Sequence, residues 1–113
     1  MNMDKILDMA IEKDASDVHM ICGNKPMLRI ARDLIEIEDM KELTEEDMTE
    51  AYDYLVRGNV DKDEVYNSTR KLDLSYEYKD IRLRVNISSS DDIPTCTLRL
   101  IKNELPPYES LGI

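Results

Sequence analysis

Ser16, Asp17 and His19 bring the residue types of a hydrolytic triad into one short stretch, and His19 is the only histidine in the chain. A nucleophile must hydrogen-bond to its base and the base to an orienting group. On a strand, neighbouring side chains point to opposite faces, so Ser16 is expected to point away from Asp17 and His19, and the triad does not assemble. Asp17 and His19 share a face and could form a structural hydrogen bond. A second candidate is Asn59, Asp61 and Asp63, which reproduce the first three ligand positions of an EF-hand loop. Glu64 then stands where that loop needs Gly, and Arg70 where it needs a bidentate Glu, so no metal site is expected there. One histidine and two separated cysteines do not make a zinc site either. Phosphate-cradling loops of the form GxxxxGK[ST] require glycines that let backbone N–H groups approach the phosphates. Gly23, Gly58 and Gly112 are the only glycines, each in a turn or helix-end context, and no P-loop exists in this chain.

The elements that would position these residues follow from periodicity. In MDKILDMAIEK, residues 3–13, Met3, Ile6, Leu7, Ala10 and Ile11 form one helical stripe. Alternation from Asp17 to Cys22 predicts a strand, Gly23-Asn24 a turn, and Pro26 the opening of a second strand through Met27, Leu28 and Ile30. Leu34, Ile35 and Ile37 predict a third. Thr44 followed by Glu45, Glu46 and Asp47 marks a helix start, with Met48, Ala51, Tyr52, Leu55 and Val56 as its apolar face and Gly58 as its stop. A shorter polar helix is expected over 61–69.

From residue 72 the period changes to two. Leu72, Leu74, Tyr76 and Tyr78, then Ile81, Leu83, Val85 and Ile87, line one face of a long hairpin turning at Lys79-Asp80. A polar loop from Ser88 to Asp92 leads past Pro94 to a last strand with Cys96, Leu98 and Leu100 facing inward. The order helix, strands, helices, strands predicts an α+β fold, a mostly antiparallel sheet with helices packed on one face. Arg82, Arg84 and Arg99 then cluster on the opposite face. If Lys79-Asp80 is the turn, Glu77 lies opposite Arg82 and Ser75 opposite Arg84. Cross-strand salt bridging is one reading, worth a few tenths of a kcal/mol per pair. The other is guanidinium groups offered to a phosphate or carboxylate on another domain.

With 113 residues the chain is one domain by size. It has no Phe or Trp, so Leu, Ile, Val, Met and six tyrosines must build the core. A formal net charge of −10 opposes binding to nucleic acid, which is held mainly by Lys and Arg displacing counterions. No apolar run approaches the roughly 20 residues needed to span a bilayer, and no signal-peptide pattern opens the chain. Cys22 and Cys96 are read as free thiols, and the compartment as cytoplasmic.

Several stretches carry a family resemblance. Ala15-Ser16-Asp17-Val18-His19-Met20 resembles an ASDLHL motif, Pro26-Met27-Leu28-Arg29-Ile30 a PMIRV motif, Leu72-Asp73-Leu74-Ser75-Tyr76 an LDFSF motif and Arg82-Leu83-Arg84-Val85-Asn86 an RFRVN motif. With Leu98-Arg99-Leu100-Ile101 and the closing Leu111-Gly112-Ile113, these resemble, in order, the N-terminal domain of the PilT-type pilus retraction ATPases. The resemblance implies a PAS-like domain over 1–105 and, over 106–113, the start of a linker to a RecA-like ATPase domain. That second domain, absent here, would carry the P-loop, ATP and Mg. No cofactor is implied in this domain, which would be non-catalytic within a parent ATPase. In the parent, the resemblance implies a hexameric ring working on a type IV pilus for twitching motility, in the cytoplasm and peripheral to the inner membrane. The domain would pack against RecA-like domains of its own and neighbouring subunits, with Arg82, Arg84 and Arg99 as candidate nucleotide or inter-domain contacts. The pilus inner-membrane platform would be an indirect partner. Asp17 and His19 would serve a hydrogen bond or a subunit contact. Ala31-Arg32 departs from the family's Asp-Gly turn, and Leu74 and Tyr76 replace its Phe residues. Ile21-Cys22 stands where pilus-assembly and type II secretion ATPases carry Glu-Pro, which favours the retraction branch. A fragment of such an assembly or secretion ATPase is one alternative; a PAS-like small-ligand sensor is another.

Overall fold

The structure is a computed structural model that describes residues 2–56 and 59–102. Helix α1, Met3–Glu12, starts at Asn2, whose side chain accepts a hydrogen bond from the Lys5 N–H at 3.1 Å. It ends where Asp14 adopts φ 57 and the N–H groups of Asp14 and Ala15 return to the carbonyls of Ile11 and Ala10. This paired return satisfies two otherwise orphaned carbonyls and turns the chain directly into the first strand.

Six strands follow the same antiparallel logic throughout: β1 Asp17–Met20, β2 Met27–Ile30, β3 Asp33–Glu36, β4 Lys71–Tyr78, β5 Ile81–Ser90 and β6 Ile93–Lys102. Their order in the sheet is β3-β2-β1-β6-β5-β4, with every neighbouring pair antiparallel. The last strand therefore lies at the centre, beside the first. Helices α2, Glu45–Val56, and α3, Val60–Thr69, join the two halves of the sheet. Thr44 caps α2 reciprocally: its Oγ1 accepts from the Asp47 N–H at 3.1 Å and its own N–H donates to Asp47 Oδ2 at 2.9 Å. The backbone donor of Thr44 holds the Asp47 carboxyl below its ordinary pKa.

The core forms between the helices and the inner face of the sheet. Ile6, Leu7, Met48, Leu83, Ile87 and Leu98 are among its fully buried side chains. All five residues of the expected α2 face are buried, whereas α3 buries Tyr66 alone. The α+β antiparallel architecture with helices over one face is as the periodicity indicates.

One local expectation needs correction. The segment 88–92 is not a loop: β5 continues to Ser90 and a two-residue turn, Asp91 at φ 52 and Asp92 at φ 66, leads straight into β6. Consecutive left-handed residues suit the twist of a tight hairpin, which the acidic pair made hard to see. Pro94 is tolerated in β6 because pairing to β1 begins only at Cys96, leaving Pro94 a partner on the β5 side alone. In β3, Leu34 and Ile35 are exposed, since the strand lies at the sheet edge, while Ile37 beyond it is buried. The Ala31-Arg32 turn does form, with Ala31 carrying the strain at φ 57. Gly58, the 105/106 domain boundary and the linker over 106–113 lie outside the described residues.

Candidate functional site

Placing β6 between β1 and β5 assembles a row of side chains on the sheet face opposite the helices. Arg99 of β6 lies opposite Asp17 of β1 on one side and Arg84 of β5 on the other. Arg29 of β2 lies opposite Asp17, and Ser75 of β4 opposite Arg84. One rung thus reads Arg29, Asp17, Arg99, Arg84, Ser75 across five strands. The next rung reads Met27, His19, Thr97, Asn86, Asp73. Arg82 lies one rung away on the other side, between Glu77 and Ile101.

Asp17 is the one buried charged side chain of the described residues, 7% exposed. A carboxylate so placed must be paired or hydrogen-bonded. Its Oδ2 accepts from Ser16 Oγ at 2.8 Å and faces Arg29 Nε at 3.7 Å; its Oδ1 accepts from Arg99 Nε at 3.2 Å. The expectation that Ser16 points away from Asp17 does not hold, because Ser16 precedes β1, where strict alternation has not begun. No triad results, since Ser16 bonds Asp17 and, among the described residues, neither bonds His19. Asp17 and His19 do not pair. The two arginines and Ser16 occupy Asp17, and His19 Nε2 is buried without a hydrogen-bond partner among the described residues.

The outer arginines divide into two kinds. Arg99 is tied to Asp17 through Nε, leaving the far end of its guanidinium fork toward solvent, with the side chain 72% exposed. Arg82 and Arg84 are exposed and make no ion pair among the described residues, although the register does place Glu77 opposite Arg82 and Ser75 opposite Arg84. A shallow cleft of about 220 Å³ is bounded by Asp17, Asp73, Arg84, Asn86, Thr97 and Arg99. Asn86 Nδ2 holds Asp73 Oδ1 at 2.7 Å, so the carboxylate on that wall is engaged. Guanidiniums facing one another across adjacent strands repel. An oxyanion between them would remove the repulsion and meet forked donors of matching geometry. The arrangement can bind and orient a negative group.

The resemblance to known structures is strongest at the level of the whole chain. The crystal structure of the pilus retraction motor PilT with bound ADP matches with a TM-score of 0.82 and 25% identity, over 100% of this chain and 33% of that one. This is the fold of the PilT N-terminal domain. The ATPase DotB of Legionella pneumophila matches at TM-score 0.76 and 21% identity, over 98% of this chain and 32% of that one. DotB of Yersinia pseudotuberculosis matches at 0.69 and 17%, over 97% and 32%. The chain spans about a third of the length of each. No protein-family model matches the sequence, and no curated protein is significantly similar to it. The PilT-type resemblance carried by the sequence motifs thus reappears in three dimensions, in an ATPase-associated domain. Among the described residues no helix is long and apolar enough to cross a membrane.

Local pattern did not reveal Arg29 and Ser16 as partners of Asp17. Arg29 could have been found only from the register of the β1/β2 hairpin, whose connection is too long to set it by turn type. The Asn59, Asp61 and Asp63 group resolves into helix chemistry. Asn59 Oδ1 caps the Lys62 N–H at 3.1 Å, and Asp63 accepts from Tyr52 Oη at 2.6 Å.

Proposed function

We propose that this chain is the non-catalytic N-terminal domain of a hexameric motor of the pilus retraction type, driving twitching motility from the cytoplasmic side of the inner membrane. In this reading the domain packs against the RecA-like ATPase domains of its own and neighbouring subunits. Its arginine row meets bound nucleotide or the adjoining domain and couples nucleotide state to ring conformation. ATP and Mg belong to the ATPase domain, and this chain hydrolyses nothing by itself.

The observation that carries the proposal is the pairing of Arg84 with Arg99 on the face the helices leave bare, in a chain of net charge −10. Support comes from the whole-chain match to a motor crystallised with ADP. The test is Arg84→Ala in the full-length protein. ATPase kcat should fall about tenfold or more, equivalent to roughly 1.4 kcal/mol in the barrier, with the melting temperature of the protein unchanged. Undiminished turnover rejects the role.

The likeness to DotB favours a second reading, in which the parent is an assembly or secretion ATPase. Deleting a retraction motor leaves fibres on the cell, whereas deleting an assembly motor removes them. The ligand-sensor alternative gains no such support. The space between sheet and helices is filled by aliphatic side chains, and the cleft of about 550 Å³ lined by Tyr52, Tyr54, Val56 and Val60 lies between α2 and α3 instead.

A further inference from the structure

Asp17 has more donors than a buried carboxylate requires, and they differ in how firmly they are held. Its side chain is 9% exposed, against 40% for Arg29 and 72% for Arg99. The anion is therefore the fixed member, and Arg99 the arm most able to move. Stripping a buried carboxylate of its partner ordinarily leaves an uncompensated charge. Here the loss is covered, because Ser16 Oγ and Arg29 Nε both stand on Oδ2 while Arg99 holds Oδ1. On its other flank Arg99 meets Arg84, which has no ion pair among the described residues.

We infer that Asp17 is the internal counter-ion of an oxyanion site: a ligand of the phosphate class, entering between Arg84 and Arg99, draws Arg99 off Asp17, and Arg29 takes over the carboxylate. This rests on the reading of the arginine row as an anion receptor and adds what holds Arg99 when the ligand is absent. Asp17 and the ligand compete for the same guanidinium. The 3.7 Å separation of Arg29 from Asp17 leaves room for that pair to close when Arg99 departs. The contact thus has two arrangements that ligand occupancy can bias, the property required of a coupling element.

The exchange is read by NMR on the isotopically labelled chain, following the arginine Nε–Hε signals and the Asp17 carboxyl carbon during titration with pyrophosphate. The Arg84 and Arg99 signals should shift together, and the Asp17 carboxyl should shift with the same midpoint. Acetate at matched ionic strength should move none of them; an equal response to acetate overturns the phosphate class. In Asp17→Asn, pyrophosphate should bind about fivefold more tightly or better, the effect of removing one competing unit charge a few ångströms away in a water-like dielectric. If Asp17→Asn does not fold, co-titration of the Asp17 carboxyl in the unsubstituted chain decides the matter alone. Should both arginines respond while the Asp17 carboxyl stays still and Asp17→Asn binds no tighter, the exchange is wrong and the anion-receptor reading stands. Should neither arginine respond in either protein, that reading fails with it.

Discussion

Arg84 and Arg99 are opposite one another in the sheet, yet their removal should move stability in opposite directions. Arg84→Gln deletes one of two like charges on adjacent strands, with no ion pair among the described residues to lose. A directly opposed like-charge pair is destabilising by roughly 0.2–1 kcal/mol, and exposure places this one at the lower end. The variant should therefore be about 0.3 kcal/mol more stable at low salt and indistinguishable from the parent at 1 M salt, where the screening length is only about 3 Å. Arg99→Gln relieves the same repulsion but breaks the 3.2 Å bond to buried Asp17. A hydrogen bond to a charged group contributes roughly 1.5–3 kcal/mol, reduced here to about 1 kcal/mol because Ser16 and Arg29 remain on the carboxylate. Urea unfolding followed by circular dichroism separates the two. With a slope of about 1.5 kcal/mol per molar, their midpoints should differ by about 0.7 M. If Arg84→Gln destabilises the chain by ~1 kcal/mol or more, Arg84 is structural, and its assignment as an anion contact is refuted.

Ala31→Gly should stabilise the chain by about 0.5–1 kcal/mol in the same assay, since Ala31 sits at φ 57 and relief of left-handed strain exceeds the added backbone entropy. Burial pushes the Cys96 thiol up to about 12, so it should resist iodoacetamide at pH 8 in the folded chain and react fully in urea. Asp8 accepts from Lys79 Nζ at 2.7 Å, a contact that lowers the Asp8 pKa and raises that of Lys79. The lowered carboxyl contributes stability above its unfolded pKa and loses it as pH falls through the folded value; the raised ammonium contributes below its unfolded pKa and loses it as pH rises through the folded one. Lys79→Met should therefore narrow its stability gap to the parent at both acid and alkaline extremes, measured by thermal melts across pH.

What the sequence made legible was set by local physics. The α1 and α2 stripes, the Thr44 cap and the Lys79-Asp80 hairpin register each depend on residues within one turn or one strand of each other, and each appears in the structure as expected. Two kinds of feature were out of reach. Left-handed conformations at Ala31, Asp91 and Asp92 are fixed by strand pairing, at Ala31 against the preference of the residue itself. Strand order is the other. Asp17 and Arg99 are 82 positions apart, and nothing in the alternation of either strand says that β1 and β6 are neighbours. Periodicity places the candidate arginines on the correct face, but within β1 it offers Asp17 only His19 as a possible partner, not the arginines of β2 and β6.

A sheet covered by helices on one side must leave its other face to water or to a partner. The distribution of charge bears on which. Acidic residues concentrate at the start of α2, Glu45, Glu46 and Asp47, at the start of α3, Asp61 and Asp63, and on the edge strand β3, Asp33 and Glu36. Helix starts favour negative charge for a local reason, the partial positive charge of unpaired N–H groups. No such local reason places Arg29, Arg82, Arg84 and Arg99 on the bare face, where Arg84 and Arg99 repel and no ion pair among the described residues involves Arg82 or Arg84. Four of the chain's seven arginines lie on that face and Asp17, Asp73 and Glu77 share it, so the positive field is local to the Arg84–Arg99 contact, and a negatively charged group of a partner is drawn there rather than to the face as a whole. The same sheet topology that buries the aliphatic core puts β6 at the centre of that face, so the packing that stabilises the fold also assembles the row a partner would meet.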